Sequence, residues 1–150
     1  MDMNNFDVII IGAGVIGSLV ARELSRYQIS VLLIERNSDV GSGTSAANSA
    51  LVHAGYDPIP GSLKAELNVR GNRMWDKLAA ELDVDFKRCG DYVVSIGAEE
   101  LPALDILLEQ GKRNGVPGLQ LISSDEIKRR IPLLNPDASG ALFAPSAGVC

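Results

Sequence analysis

The sequence has little of what writes a metal centre or a disulfide scaffold: 150 residues hold two cysteines and one histidine. Cys89 and Cys150 stand far apart and form no Cys-x-x-Cys pair, which excludes a zinc or iron–sulfur motif and suits a reducing compartment. Basic residues are outnumbered, 14 Lys and Arg against 19 Asp and Glu, and the densest basic run is only Lys128-Arg129-Arg130. With a net charge of −5, nucleic acid is not an expected partner. Long apolar runs are missing as well. The first one has Asp2 and Asp7 ahead of it rather than Lys or Arg, and Gly12, Gly14 and Gly17 interrupt it. It therefore reads neither as a signal peptide nor as a transmembrane segment, and a cytoplasmic location is the expectation. A polar tail is also lacking. Ala144 to Cys150 is an apolar stretch without a helix-ending pattern, which reads as the front portion of a longer chain.

What is present is the make-up of a chain that can bury a core, 46% hydrophobic and 22% charged. Val8-Ile9-Ile10-Ile11 is a β-branched run of the kind a parallel strand buried on both faces requires. After a glycine turn, Ile16, Leu19, Val20 and Leu24 recur at helical spacing, with the helix ending near Tyr27. Val31-Leu32-Leu33-Ile34 supplies a second buried run, so Phe6 to Glu35 has the length of one βαβ unit.

Residues 37–60 are rich in Gly, Ser, Asn, Thr and Pro and keep no period, as a functional loop does. From Ser62 to Leu82, Leu63, Leu67, Met74, Leu78 and Leu82 fall on one side of an expected amphipathic helix, with Trp75 beside them. Phe86–Arg88 and Tyr92–Ile96 flank Gly90-Asp91 as an expected hairpin. A helix led by Glu99 and Glu100 closes at Asn114-Gly115, and Leu119 to Ile122 suggests a strand. Ser123 and Glu126 form a capping box before a helix that Pro132 ends, and Gly140 to Ala144 suggests another strand. Trp75, Tyr92 and Phe143 are assigned to packing, Cys89 to the core, and Lys112-Arg113 with Lys128–Arg130 to solvated helix faces.

The fold class expected is α/β, a Rossmann-like nucleotide-binding βαβ unit with a parallel sheet, followed by the start of an α+β substrate domain. Its divisions are 1–60 for the βαβ unit and loop, 61–97 for the helix and hairpin, and 98–150 for the first elements of an inserted substrate domain.

Gly12-Ala13-Gly14-Val15-Ile16-Gly17 matches G-x-G-x-x-G, weak alone but here directly after a strand and opening a helix. Gly12 permits the tight turn, Gly14 lets the backbone reach a pyrophosphate, and Gly17 lets helix and strand pack closely. The amino end of the helix, through Val15 and Ile16, meets phosphate with unpaired N–H groups and partial positive charge. Glu35, eighteen residues after Gly17, is placed to accept hydrogen bonds from the adenosine ribose. It disfavours a 2′-phosphate, although Arg36 beside it works the other way.

The fingerprint alone does not separate NAD from FAD. The stretch Gly41 to Gly55, together with His53-Ala54-Gly55-Tyr56 and Pro60-Gly61-Ser62-Leu63-Lys64-Ala65, resembles the D-amino-acid-oxidase-like superfamily of FAD proteins. Within it the likeness is to FAD-dependent glycerol-3-phosphate dehydrogenases and L-2-hydroxyglutarate dehydrogenases. That resemblance implies FAD as cofactor, with Thr44, Ser45, Asn48 and Ser49 contacting its pyrophosphate and ribityl chain. It also implies a small-molecule substrate whose alcohol is oxidised by hydride transfer to flavin. His53 is carried over as the base that takes the hydroxyl proton, a role imidazole suits; the alternative is a histidine that only bonds backbone near a turn. Glycerol 3-phosphate stands ahead of L-2-hydroxyglutarate as substrate. Two further readings stay open: an NAD-only Rossmann domain, and a truncated chain inert toward nucleotide. In the latter, an uncovered sheet edge invites self-association.

Overall fold

The computed structural model describes residues 5–150; Asp2, used above against a signal peptide, lies outside them. The chain forms two compact units, Met1–Ser49 and Ala50–Cys150.

In the first unit, β1 (Val8–Ile11) pairs in parallel with β2 (Val31–Ile34), Val8 opposite Val31 and Ile11 opposite Ile34, and α1 (Val15–Leu24) makes the crossover. Asp7 fastens one end of this pair. Its Oδ2 accepts from the Ser30 amide at 2.7 Å and from the Ser30 hydroxyl at 2.8 Å, and these bonds hold its carboxyl below the usual carboxylate range. At the other end the Gly12 amide donates to the Ile34 carbonyl at 2.7 Å.

The strand expected to be buried on both faces is covered on one. Val8 and Ile10 are half-buried, whereas Ile9 is 55% and Ile11 86% exposed. The reason is architectural: a two-stranded sheet with one crossover helix covers one face only. The same correction applies to α1, where Leu19 and Leu24 are half-buried but Ile16 and Val20 are exposed, and the helix ends at Leu24 rather than near Tyr27.

The second unit opens with β3 (Leu51–Val52), which pairs antiparallel with β7 (Gly148–Val149). Between them run α2 (Leu63–Leu82), β4 (Asp91–Ile96), a 3₁₀ turn (Ala98–Glu100), α3 (Leu101–Arg113), β5 (Gln120–Ser123), α4 (Ser124–Arg130) and β6 (Ala138–Ala144). β6 is the centre of an antiparallel sheet ordered β4-β6-β5. Local chemistry sets several boundaries. Ser62 Oγ accepts from the Ala65 amide at 3.2 Å to start α2, and Asp83, in the left-handed region, ends it. Ser123 Oγ accepts from the Glu126 amide at 3.3 Å, as the capping pattern requires. Ile127 of α4 and Ala141 of β6 are fully buried in one core cluster; burying a side chain the size of Ile127 stabilises by about 1.5–3 kcal/mol. A second cluster gathers Ala54, Val69, Val116, Ala144 and Ala147.

Three expectations for this unit are overturned. α2 does not bury its large apolar stripe: Leu63, Leu67, Met74 and Leu82 are exposed, and the buried positions are Ala65, Val69, Asn72 and Ala79. Small residues let neighbouring backbone come close, so here size is a poor guide to the inward face. The hairpin is absent, since β4 pairs with β6 (Asp91 opposite Ala144), while Lys87 bridges to Val149. Cys89 is exposed rather than a core residue. The aromatic assignments hold: Tyr92 stacks on Phe143 at 4.6 Å between centroids, and Trp75 on Phe86 at 5.5 Å.

Candidate functional site

In the first unit, the turn between β1 and α1 and the loop after β2 enclose a groove. Gly12, Gly14, Glu35, Arg36, Thr44 and Ser45 all line it. A second groove alongside shares Gly12, Gly14, Thr44 and Ser45 and adds Val15, Ile16, Gly17 and Asn48. Of the residues expected in this site, Ser49 alone lines neither groove; it is exposed at the end of the loop.

Each glycine answers to a separate constraint. Gly12 has φ +100°, a region that side chains avoid. A Cβ at Gly17 would lie 1.9 Å from the Gly12 carbonyl oxygen, so only glycine lets α1 sit this close to the turn. At Gly14 a Cβ would reach the Ser45 hydroxyl at 3.2 Å, at the mouth of the helix. That hydroxyl accepts from the Val15 amide at 2.9 Å, placing Ser45 where α1 presents its amino end. The Asn48 amide nitrogen donates to the carbonyls of Ser45 at 2.8 Å and Thr44 at 3.3 Å and so shapes the loop from within.

Glu35 is spoken for by backbone. Its Oε1 accepts from the Asn37 amide at 3.0 Å and its Oε2 from the Ala13 amide at 2.9 Å. These bonds, Asn37 first, hold its carboxyl below the usual glutamate range, so it stays ionised and keeps lone pairs for a further donor. The sequence did not signal one contributor: the Gly41 amide donates to the Ala13 carbonyl at 2.9 Å, tying the loop back onto the glycine turn.

In the second unit, His53 lies exposed on the wall of a cavity that Tyr56, Asp57, Lys64 and Asn68 also line. Its backbone is gripped by side-chain amides. Asn72 Nδ2 donates to the His53 carbonyl at 2.9 Å, and Asn114 Nδ2 to those of Gly55 at 3.0 Å and Pro58 at 2.7 Å. Gln110 Nε2 donates to the Tyr56 carbonyl at 3.2 Å and to that of Asp57. Asn72 also donates to Ser146, and its Oδ1 accepts from Arg88 Nη1 at 3.0 Å. The Tyr56 hydroxyl donates to Asp91 Oδ2 at 3.0 Å. Burial pushes Asp91 above the usual carboxylate range, and burial with the nearby carboxylate pushes Tyr56 up too. None of these partners was singled out from sequence. No local signal marks Asn72, because the apolar stripe expected to face inward on α2 does not include it.

Residues 7–150 match the model of the family described as FAD dependent oxidoreductase. The chain belongs to that family. FAD is the family's cofactor, and the grooves of the first unit have the donor set and the bare backbone that a dinucleotide needs. Among curated family relatives, a glycerol 3-phosphate dehydrogenase from Caloramator mitchellensis is 49% identical over 96% of this chain and 30% of its own length. A mitochondrial L-2-hydroxyglutarate dehydrogenase from Arabidopsis thaliana is 40% identical over 95% of this chain and 29% of its own. Among solved structures, dithionite-reduced L-α-glycerophosphate oxidase from Mycoplasma pneumoniae with FAD bound superposes with a TM-score of 0.91. Its identity is 30%, covering 98% of this chain and 39% of that one. The chain thus spans about 30% of the length of the curated relatives it matches. Among the described residues no helix is long and apolar enough to cross a membrane.

Proposed function

We propose that this chain is the FAD-binding part of an oxidoreductase that oxidises the alcohol of a small-molecule substrate, glycerol 3-phosphate in the first place and L-2-hydroxyglutarate in the second. The observation that carries the reading is the glycine turn closed by Glu35, in a chain 49% identical to a glycerol 3-phosphate dehydrogenase. Gly12, Gly14 and Gly17, with the first amides of α1 at Val15 and Ile16, would cradle the pyrophosphate, and Glu35 would take the ribose hydroxyls. Arg36 would flank the adenosine. Thr44, Ser45, Asn48 and Ser49 would offer hydroxyls and an amide to phosphate and ribityl oxygens.

Flavin, when bound, supplies the hydride acceptor. His53 is the proposed base, taking the proton of the substrate hydroxyl, and the hydrogen bond from the Asn72 side-chain amide to the His53 carbonyl restrains the backbone that carries it. The free cysteines fit a cytoplasmic setting for this chemistry.

In the full-length parent, His53→Gln should lower turnover by ~10²-fold or more while leaving FAD bound. Unchanged turnover removes the base assignment. Steady-state rates with glycerol 3-phosphate and with L-2-hydroxyglutarate rank the substrates.

A second reading, that the 150 residues alone hold nucleotide poorly, is favoured by the exposure of Ile11 and Ile16 beside the grooves. Both strands of the β1–β2 sheet are edges, so self-association of the isolated chain belongs to that reading. A yellow purified chain that releases flavin on denaturation supports retained binding; a colourless one supports the inert fragment.

A further inference from the structure

The strand that leads to His53 is short. β3 pairs with β7 over two residues only, Leu51 opposite Val149 and Val52 opposite Gly148, so the ladder stops directly before His53. Asn72 takes over where it stops. Only 5% exposed, it donates from Nδ2 to the His53 carbonyl at 2.9 Å and to the carbonyl of Ser146, just ahead of β7, at 2.9 Å. The two amide hydrogens thus clip together the chains on either side of the ladder's end. They do so in one orientation of the amide alone, since the flipped group would set Oδ1 against two carbonyl oxygens.

Arg88 decides that orientation. Its Nη1 donates to Asn72 Oδ1 at 3.0 Å and to the Ser146 carbonyl, and its Nη2 donates to the Asn72 carbonyl at 2.9 Å. Asp76, one turn along α2, holds the guanidinium in turn, accepting from Nε at 3.0 Å and from Nη2 at 2.6 Å. The Phe86 ring lies against it, its centroid 5.2 Å from Cζ. A planar fork of donors meets all of these partners at once, as the point charge of a lysine does not. We propose that Arg88 and Asn72 are positioning residues for His53: Arg88 sets the Asn72 amide, and Asn72 fixes the stretch of backbone that carries the imidazole on the cavity wall. The inference rests on the reading of His53 as the base and adds no proton transfer to it.

The test is a double-mutant cycle on the FAD-loaded full-length parent, with kcat measured per bound flavin on the faster of glycerol 3-phosphate and L-2-hydroxyglutarate. Asn72→Asp keeps the size of the side chain and an acceptor for Arg88 but has no hydrogen to give either carbonyl. It should lower kcat about tenfold, with KM within about threefold of wild type. In the His53→Gln background the same change should cost less than about twofold, because the group it positions is gone. A merely structural residue would reduce the yield of FAD-loaded protein and leave kcat per flavin as it was, or lower kcat by the same factor in both backgrounds. Either result overturns the inference, while a loss of turnover in His53→Gln alone still upholds the base reading. If His53→Gln keeps full turnover, the base reading falls and the inference with it. Should Asn72→Asp fail to load with FAD, Arg88→Lys carries the test. A loss of about threefold or more that vanishes in the His53→Gln background supports the inference; an unchanged kcat, or an equal loss in both backgrounds, overturns it.

Discussion

The Ala13 amide donates to Glu35 Oε2 at 2.9 Å, so the glycine turn after β1 is tied to the end of β2 by a side chain as well as by the ladder. The residue proposed to hold the ribose therefore also helps to set the turn proposed to hold the phosphates. Glu35→Gln should weaken FAD binding by about tenfold or more, the scale of one charge-assisted hydrogen bond, measured by flavin titration of the apo full-length protein. The folded-state value of Glu35 is depressed, so its contribution to stability is present above its ordinary 4.5 and is lost as pH falls through the lower folded value. Denaturant melts across the acid range should show Glu35→Gln missing that part of the dependence.

Gly17→Ala is the most disruptive small substitution expected in the first unit. The added methyl would meet the Gly12 carbonyl oxygen at 1.9 Å, and backbone cannot swing aside as a side chain can. A loss of about 1–3 kcal/mol, together with loss of bound flavin, is expected from thermal unfolding and absorbance of the purified variant. Gly14→Ala, which meets only the Ser45 hydroxyl at 3.2 Å, should cost less stability and still weaken binding.

These glycines were legible because their consequences are local: a turn, a close approach and a helix mouth all lie within a few residues of Gly12, Gly14 and Gly17. The inward face of α2 was not. Large apolar residues suggested Leu63, Leu67 and Met74, whereas close packing selected Ala65, Val69 and Ala79, with Asn72 inward to serve distant carbonyls. Nor was the partner of β4 legible. A Gly-Asp turn next to a strand signals a hairpin, but pairing across to β6 is decided by the buried surface of Ala141 and Leu142, far along the chain. The clamp on the His53 segment was hidden for the same reason, since nothing near Asn114 in sequence announces the carbonyls of Gly55 and Pro58.

Asn114→Ala should destabilise the second unit by about 1–3 kcal/mol, because two carbonyls lose a buried donor at once. Urea unfolding measures it. In the full-length protein the same variant should lower kcat more than it raises KM, if the proposed base at His53 is loosened.

Asp91→Asn should be as stable as wild type at neutral pH, or more so. The folded value of Asp91 lies above its ordinary 3.8, so ionising it costs folding free energy once pH rises through that folded value. Asparagine escapes that cost. Melting temperatures of the two proteins compared at neutral pH check it.

The pairing of β3 with β7 sets Leu51 opposite Val149, and Cys150 donates its amide back to the Ala50 carbonyl at 3.1 Å. Everything from His53 to Ala147 is thus an excursion that leaves and returns at a single doorway. A segment anchored in this way can be lengthened, shortened or exchanged with little penalty to what lies outside it, since closing a longer loop across fixed ends adds only about 0.6 kcal/mol per doubling. Swapping the β4–β5–β6 sheet and its helices between relatives should therefore leave the glycine turn and Glu35 undisturbed, which flavin titration and thermal unfolding of the chimaera would check.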